Sequence, residues 1–172
     1  MPIYELNGVA PQIHPEAYVH PDAVVIGDVT IGAEATIWPN AVLRGDYGTI
    51  TIGARTSVQD GTVIHAGPGF PTMVGEGCVI GHIAHLEGCI LKDECLVGSG
   101  SVVLHHAVIN TGATVGANAV VPNRMEVPAN ALALGVPATI REGKSDVGMI
   151  ALSAAEYVSN GRRYRSSLRL VG

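Results

Sequence analysis

A six-residue period in branched aliphatic residues runs along the chain from about Ile13 to Ala138. Written as hexads, the sequence passes through VHPDAV, VIGDVT, IGAEAT and IWPNAV, and later through VGSGSV, INTGAT and VGANAV. An aliphatic residue opens each unit, Gly, Asp and Asn crowd its middle, and a small or β-branched residue takes the fifth place. One short strand and one tight turn are thus written again and again, which signals a β-solenoid. A β-sandwich has turns about every 8–12 residues and no fixed repeat. The hexad predicts an all-β fold, a left-handed parallel β-helix with three flat faces and about 18 residues per coil. Each opening aliphatic residue points inward and stacks on its counterpart about 4.8 Å away. Gly and Asn between the strands supply the positive φ that the corners need.

Composition fits such a thin prism. With one Phe and one Trp in 172 residues, the core must be built from Val, Ile, Leu and Ala. The prism is expected to span residues 1–143, and residues 144–172 read as a different element. The first segment carries 5 basic and 13 acidic side chains, the second 5 and 2. In the second, Ser145 or Asp146 can cap a helix, and Met149, Leu152, Ala155 and Tyr157 follow at roughly helical spacing. Arg162, Arg163, Arg165 and Arg169 read as a helix end packed on an acidic prism, not as a nucleic-acid site. No charged segment precedes an apolar run, and no stretch of about 18 apolar residues occurs. Cys78, Cys89 and Cys95 are odd in number and lack a CxxC spacing. Reduced thiols, a cytoplasmic location and no membrane partner are the expectations.

Two insertions interrupt the period, Thr49–Thr51 and Phe70–Met73, and both are expected to bulge from a corner as loops. Counting faces through them puts Leu43, Ile64 and Leu86 on one face in three successive coils. The residue after each points outward, so Arg44, His65 and Glu87 form an external column, with His85 beside Glu87. On the preceding face Val58 and Ile80 open hexads one coil apart, which stacks Asp60 on His82 near a corner, next to Gln59. Imidazole and carboxylate donors of this kind suit Zn²⁺ and other first-row divalent ions. His65 and His82 belong to different faces, so one ion reaches both only if a neighbouring subunit brings its own corner alongside. A ring of three is the natural closure for a three-sided body. His14, His20, His105 and His106 read as surface residues.

Over residues 10–143 the chain resembles the gamma-class carbonic anhydrase family. The resemblance rests on LRGD at Leu43–Asp46, SVQDGTVIH at Ser57–His65, IGHIAHLEGC at Ile80–Cys89 and LGVPATIRE at Leu134–Glu142. It implies a homotrimer with a metal site at each subunit junction, holding Zn²⁺, Fe²⁺ or Co²⁺. His65 from one chain and His82 from its neighbour match two histidine ligands of that family. Arg44 and Asp60 match an ion pair across the interface, and Gln59 a residue that orients the attacking water. The implied reaction is the reversible hydration of CO₂ to bicarbonate.

This chain departs from the family at the third ligand, where LEGC stands in place of LHGC. Three outcomes are open: Glu87 coordinates, giving a His₂Glu set; His85 swings in to restore three imidazoles; or the metal is lost. A carboxylate ligand lowers the charge of the site, and no acidic shuttle residue stands in the Gly67–Met73 loop, so weak activity is expected. Two other functions fit the hexads. One is a coenzyme A-dependent acyltransferase or thioesterase. The other is a non-catalytic trimer that binds a metal or a small ligand such as a siderophore.

Overall fold

The computed structural model describes residues 2–172. The chain winds as a left-handed parallel β-helix and ends in one α-helix. The first face stacks Tyr18–Val19, Thr36–Ile37, Ser57–Val58, Val79–Ile80, Leu96–Val97, Thr114–Val115 and Leu132–Leu134 in parallel register. Thr139–Arg141 closes that stack antiparallel to its last strand. The second face begins with Ile3–Tyr4 and the first halves of Val24–Ile31 and Val42–Ile52, followed by Val63–His65, His85–Glu87, Val102–Val103 and Val120–Val121. The third face begins with Gln12–Ile13 and the second halves of the same two long strands, and continues through Thr72–Val74, Ile90–Leu91, Val108–Ile109 and Glu126–Val127.

Register fixes the coil length. Ile80, Val97, Val115 and Ala133 are successive partners, 17 or 18 residues apart, whereas Ile37, Val58 and Ile80 are 21 and 22 apart. The longer coils hold the insertions, and here the structure shifts the expected positions. Gly27 pairs with Gly45 but Val29 pairs with Ile50, so Asp46–Thr49 stand opposite the single Asp28 and hold the extra residues within one continuous strand. Thr51 and Ile52 stay in the ladder, as do Thr72 and Met73, which pair with Ile50 and Thr51. Strand pairing, not the hexad count, decides where an inserted residue is absorbed.

Val25, Leu43, Ile64, Leu86, Val103 and Val121 form one inward ladder, each fully buried. Ala23, Ala41, Ala84 and Ala119 fill the fifth-place corner beside them, also buried. Where that corner residue is Thr62, its hydroxyl donates to the Gly81 carbonyl (2.8 Å) and accepts from the Ala84 N–H (3.1 Å). A buried hydroxyl is tolerated there because its hydrogen bonds are made. Truncating a ladder residue such as Leu86 to Ala leaves a cavity, at a cost of about 2–5 kcal/mol.

The helix, α1 (Val147–Ser167), starts at Asp146, whose carboxylate accepts from the Met149 N–H (3.0 Å). It lies on the first face of its own prism. The face it buries is Ile150, Ala154 and Gly161, while Met149 and Leu152 are exposed. The expected apolar stripe is thus out of phase. The reason lies in the prism, which presents Tyr18 and Trp38 outward and needs small residues opposite them. A Cβ on Gly161 would stand 2.6 Å from Thr36 Cγ2. Tyr157 and Tyr164 flank Trp38 edge-on, with ring centroids 5.6 and 5.0 Å away. Trp38 Nε1 donates to the hydroxyls of Thr36 and Ser57, 3.0 Å each. Arg162 pairs with Glu34 and Arg165 donates to the Ala17 carbonyl, so the basic tail is tied to the first coils. The described residues contain no helix long and apolar enough to cross a membrane.

Candidate metal centre

Three adjacent strands of the second face build one side of the site. Arg44 is the register partner of His65, and His65 of Glu87. Because side chains alternate along a strand and the residues before them face the core, all three project outward. His65 stands between two carboxylates: Nε2 lies 2.9 Å from Asp46 Oδ1, and Nδ1 lies 2.9 Å from Glu87 Oε1. Arg44 pairs with the other oxygen of Asp46. Glu87 Oε2 lies 3.2 Å from His85 Nε2, and Glu87 Oε1 lies 3.5 Å from His105 Nε2. The column is therefore a continuous polar chain, Arg44–Asp46–His65–Glu87, that ends on two further imidazoles.

The carboxylates are shaped by these neighbours. The His65 hydrogen bond lowers the Glu87 carboxyl below the usual glutamate value, against the opposing effect of burial, with His85 and His105 adding to it. Burial by itself raises the Asp46 carboxyl, but His65 and Arg44 outweigh it and hold the group down. Both stay ionised near neutral pH.

The opposite edge of the same face is the corner that carries Asp60 and His82. Asp60 Oδ2 lies 2.9 Å from His82 Nδ1, with both side chains about half exposed. A carboxylate on one ring nitrogen fixes the imidazole and leaves the other nitrogen facing outward, as in many histidine metal ligands. Gln59, next in sequence, is buried at 4% exposure. It lies under α1 beside Tyr157, whose hydroxyl is raised by burial and by the charges of Asp60 and Glu156, against the hydrogen bond from Gln59.

The structure thus divides the sequence-derived candidates into two groups. Arg44, His65, His85 and Glu87 lie together; Gln59, Asp60 and His82 lie together; no hydrogen bond joins the two sets among the described residues. Arg44 is paired within the chain with Asp46, and Asp60 with His82. Among the described residues of one chain, no group of three His, Cys, Asp or Glu is arranged to hold a metal. The donors themselves fit a divalent ion. Asp46 holds Nε2 of His65, and Nδ1 and Glu87 Oε1 face each other at 2.9 Å, an imidazole nitrogen and a carboxylate oxygen that a divalent cation accepts as ligands.

Three participants escaped the sequence reading. Asp46 sits in the insertion, where counting hexads says nothing about side-chain direction. Tyr157 comes from the separate helix. His105, read as a surface residue, keeps 35% of its side chain exposed, but its Nε2 is sealed from solvent without a hydrogen-bond partner, and Phe70 covers its ring at 5.1 Å. Its position one coil beyond Gly88 was countable, but its lean across the corner onto Glu87 was not.

The profile of a family described as bacterial transferase hexapeptide (six repeats) matches residues 10–45. A carbonic anhydrase from Geobacillus kaustophilus is 37% identical over 166 residues, covering 95% of this chain and 91% of that one. The carnitine operon protein CaiE of Escherichia coli K12 is 41% identical over 146 residues, covering 85% and 74%. Among solved structures, a Bacillus cereus protein provisionally assigned as an acetyltransferase superposes with a TM-score of 0.93 at 34% identity, covering 95% and 96%. With its hexads, its prism and these relatives, the chain belongs to the gamma-class carbonic anhydrase-like family of hexapeptide-repeat proteins.

Proposed function

We propose that the protein is a homotrimer with a divalent-metal site at each subunit junction, and that it catalyses weak reversible hydration of CO₂. The observation that carries this reading is the split of donors between two edges of one face. His65 and Glu87 stand in register on one edge, and His82, held by Asp60 with a ring nitrogen free, stands on the other. A neighbour's His82 edge brought against the His65 edge assembles an imidazole–imidazole–carboxylate set, which suits Zn²⁺, Fe²⁺ or Co²⁺. A cation bound there would supply Lewis acidity, making water a nucleophile near neutral pH.

The chain's own residues do the rest. Asp46 fixes the ring of His65 and Arg44 fixes Asp46, so the imidazole has one orientation. Asp60 does the same for His82. Gln59, buried under α1 beside Tyr157, holds the position that the family resemblance assigns to orienting the attacking water. Glu87 brings a negative charge where a neutral imidazole would leave the site more cationic, so water is acidified less and turnover is slow. His85 is the alternative third ligand, 3.2 Å from the same carboxylate.

The test is metal content per subunit of untagged, anaerobically purified protein, wild type against His65→Ala, His82→Ala, Glu87→Ala and His85→Ala. Near-stoichiometric metal in the wild type, lost in the His65 and His82 variants and in one of the other two, is the expected result. A wild type that stays metal-free after refilling with Zn²⁺ or Fe²⁺ would overturn it and leave a trimeric binding scaffold. The likeness to the provisional acetyltransferase favours a second reading, acyl transfer from coenzyme A. Protection of the protein against heating by coenzyme A would support that alternative.

A further inference from the structure

Five successive coils turn the corner between the first and second faces through a left-handed residue: Asn40, Gly61, Ile83, Gly100 and Asn118, with φ from +51° to +70°. Glycine has no Cβ to clash there, and asparagine compensates with local hydrogen bonds. Isoleucine does neither, and a β-branched residue at φ +51° is strained. Strain of this kind persists where the surroundings use it. Within the chain Ile83 receives nothing in return, for its side chain is 68% exposed. It leans over the preceding coil, with Cγ2 3.0 Å from where a Cβ on Gly61 would be. It is also the residue directly after His82.

The second face has two unlike edges. One bears Asp60, His82 and Ile83; the other bears Arg44, His65 and Glu87; the partly exposed Val63, in register with His85, lies between them on the face. Arg44 and Asp60 keep nearly half of their side chains exposed despite their partners within the chain. Asp46 and Glu87 are turned onto His65, so a guanidinium on one edge and a carboxylate with hydrocarbon on the other are left for contact between copies. Contact of unlike edges between copies is heterologous and closes as a ring.

We infer that Ile83 is a subunit-contact residue that packs on a second copy of the chain beside the partner's His65 and the partner's Glu87. There it walls the junctional site with hydrocarbon and keeps bulk water from it. The inference rests on the trimeric reading proposed above and adds a selectivity to it. A wall of this kind favours a small uncharged substrate such as CO₂ over a charged or strongly hydrated one.

Sedimentation over a dilution series decides the contact, using wild type, Ile83→Gly, Ile83→Asn and Ile83→Val. Gly and Asn keep the left-handed corner, so these variants fold, and circular dichroism checks that they do. The expected result is at least a tenfold rise in the trimer dissociation constant for Gly and Asn, with Val near wild type. The KM for CO₂ should rise several-fold in the Gly variant while metal per subunit is unchanged. Assembly of the Gly variant as tight as wild type would overturn the contact, and an unchanged KM would overturn the wall. A trimeric but metal-free, inactive wild type would sink the carbonic anhydrase reading alone, since the dissociation series still decides Ile83. A wild type that is monomeric at every concentration would sink both.

Discussion

Glu87 is hydrogen-bonded to His65 and His85, with His105 Nε2 3.5 Å away, and that crowding governs how the site responds to acid. Its carboxyl lies below the ordinary value of 4.5 in the fold. The sign follows from linkage. A carboxyl lowered by folding adds stability that is fully present above its unfolded value and is lost as pH falls through the lower folded one. Chelator-treated wild type should therefore lose thermal stability as pH falls below the ordinary carboxylate value and through the lowered one, and Glu87→Gln should lose less over the same fall. Calorimetry at half-unit steps checks it; parallel slopes would show that the imidazoles do not hold the carboxylate. On the other edge, Asp60 fixes the ring of His82, so Asp60→Asn should weaken metal affinity by about 10–100-fold, with the overall structure intact. Competition with a chelator measures that directly. Much at this scale was legible before the structure. Leu43, Ile64 and Leu86 open hexads one coil apart, and the outward column Arg44–His65–Glu87 follows from strand alternation. Asp46 was not legible, because it lies in an insertion whose residues follow no period. His105 was not, because hexad counting gives a backbone position and not how far a ring leans.

The elements obey one rule where they repeat and another where they do not. In the prism each strand is defined by the strand above and below it, so periodicity alone fixes direction and burial. The helix answers to a surface it does not share a period with. Its sequence spacing favours Met149 and Leu152, yet these are exposed, and Ala154 and Gly161 face the prism because Tyr18, Thr36 and Trp38 project there. Gly161 is the point of closest approach, and Gly161→Leu should push α1 from the first face. A clash this deep typically costs about 1–3 kcal/mol. Trp38 is the only tryptophan, so its fluorescence reports the change: a red shift at temperatures where the wild type keeps its emission unchanged. Since Tyr157 lies beside Gln59, the same variant should slow CO₂ hydration without removing metal. Emission identical to wild type would mean that the aromatic packing, not the close approach, holds the helix.

Seen whole, the molecule is a nearly one-dimensional stack in which each coil touches only its neighbours, apart from the helix laid along one face. Stability in such a stack is a sum of coil and interface contributions, and its ends open first. The coils that carry the site, from Leu43 to Glu87, are interior, with buried ladder residues above and below them. The first coil is thinner: Ile3 and Ile13 are only partly buried against the core. The insertions that shape the site therefore sit where the prism is best supported, and a polar cluster that contributes little to stability is held by neighbours that contribute much. Hydrogen exchange should reveal the gradient. Amides of Ile64, Ile80 and Leu86 should exchange only through global unfolding, with one shared free energy, while those of His14 and Tyr18, which donate to the Ile31 and Ala35 carbonyls of the next coil, exchange through local fraying at markedly lower cost. Assembly would protect the second face further, so the comparison is made on first-face amides, Tyr18 against Ile80 and Val97. Equal protection at Tyr18 and Ile80 would show that α1, through Arg162 on Glu34 and Arg165 on the Ala17 carbonyl, staples the first coil into the same cooperative unit as the site.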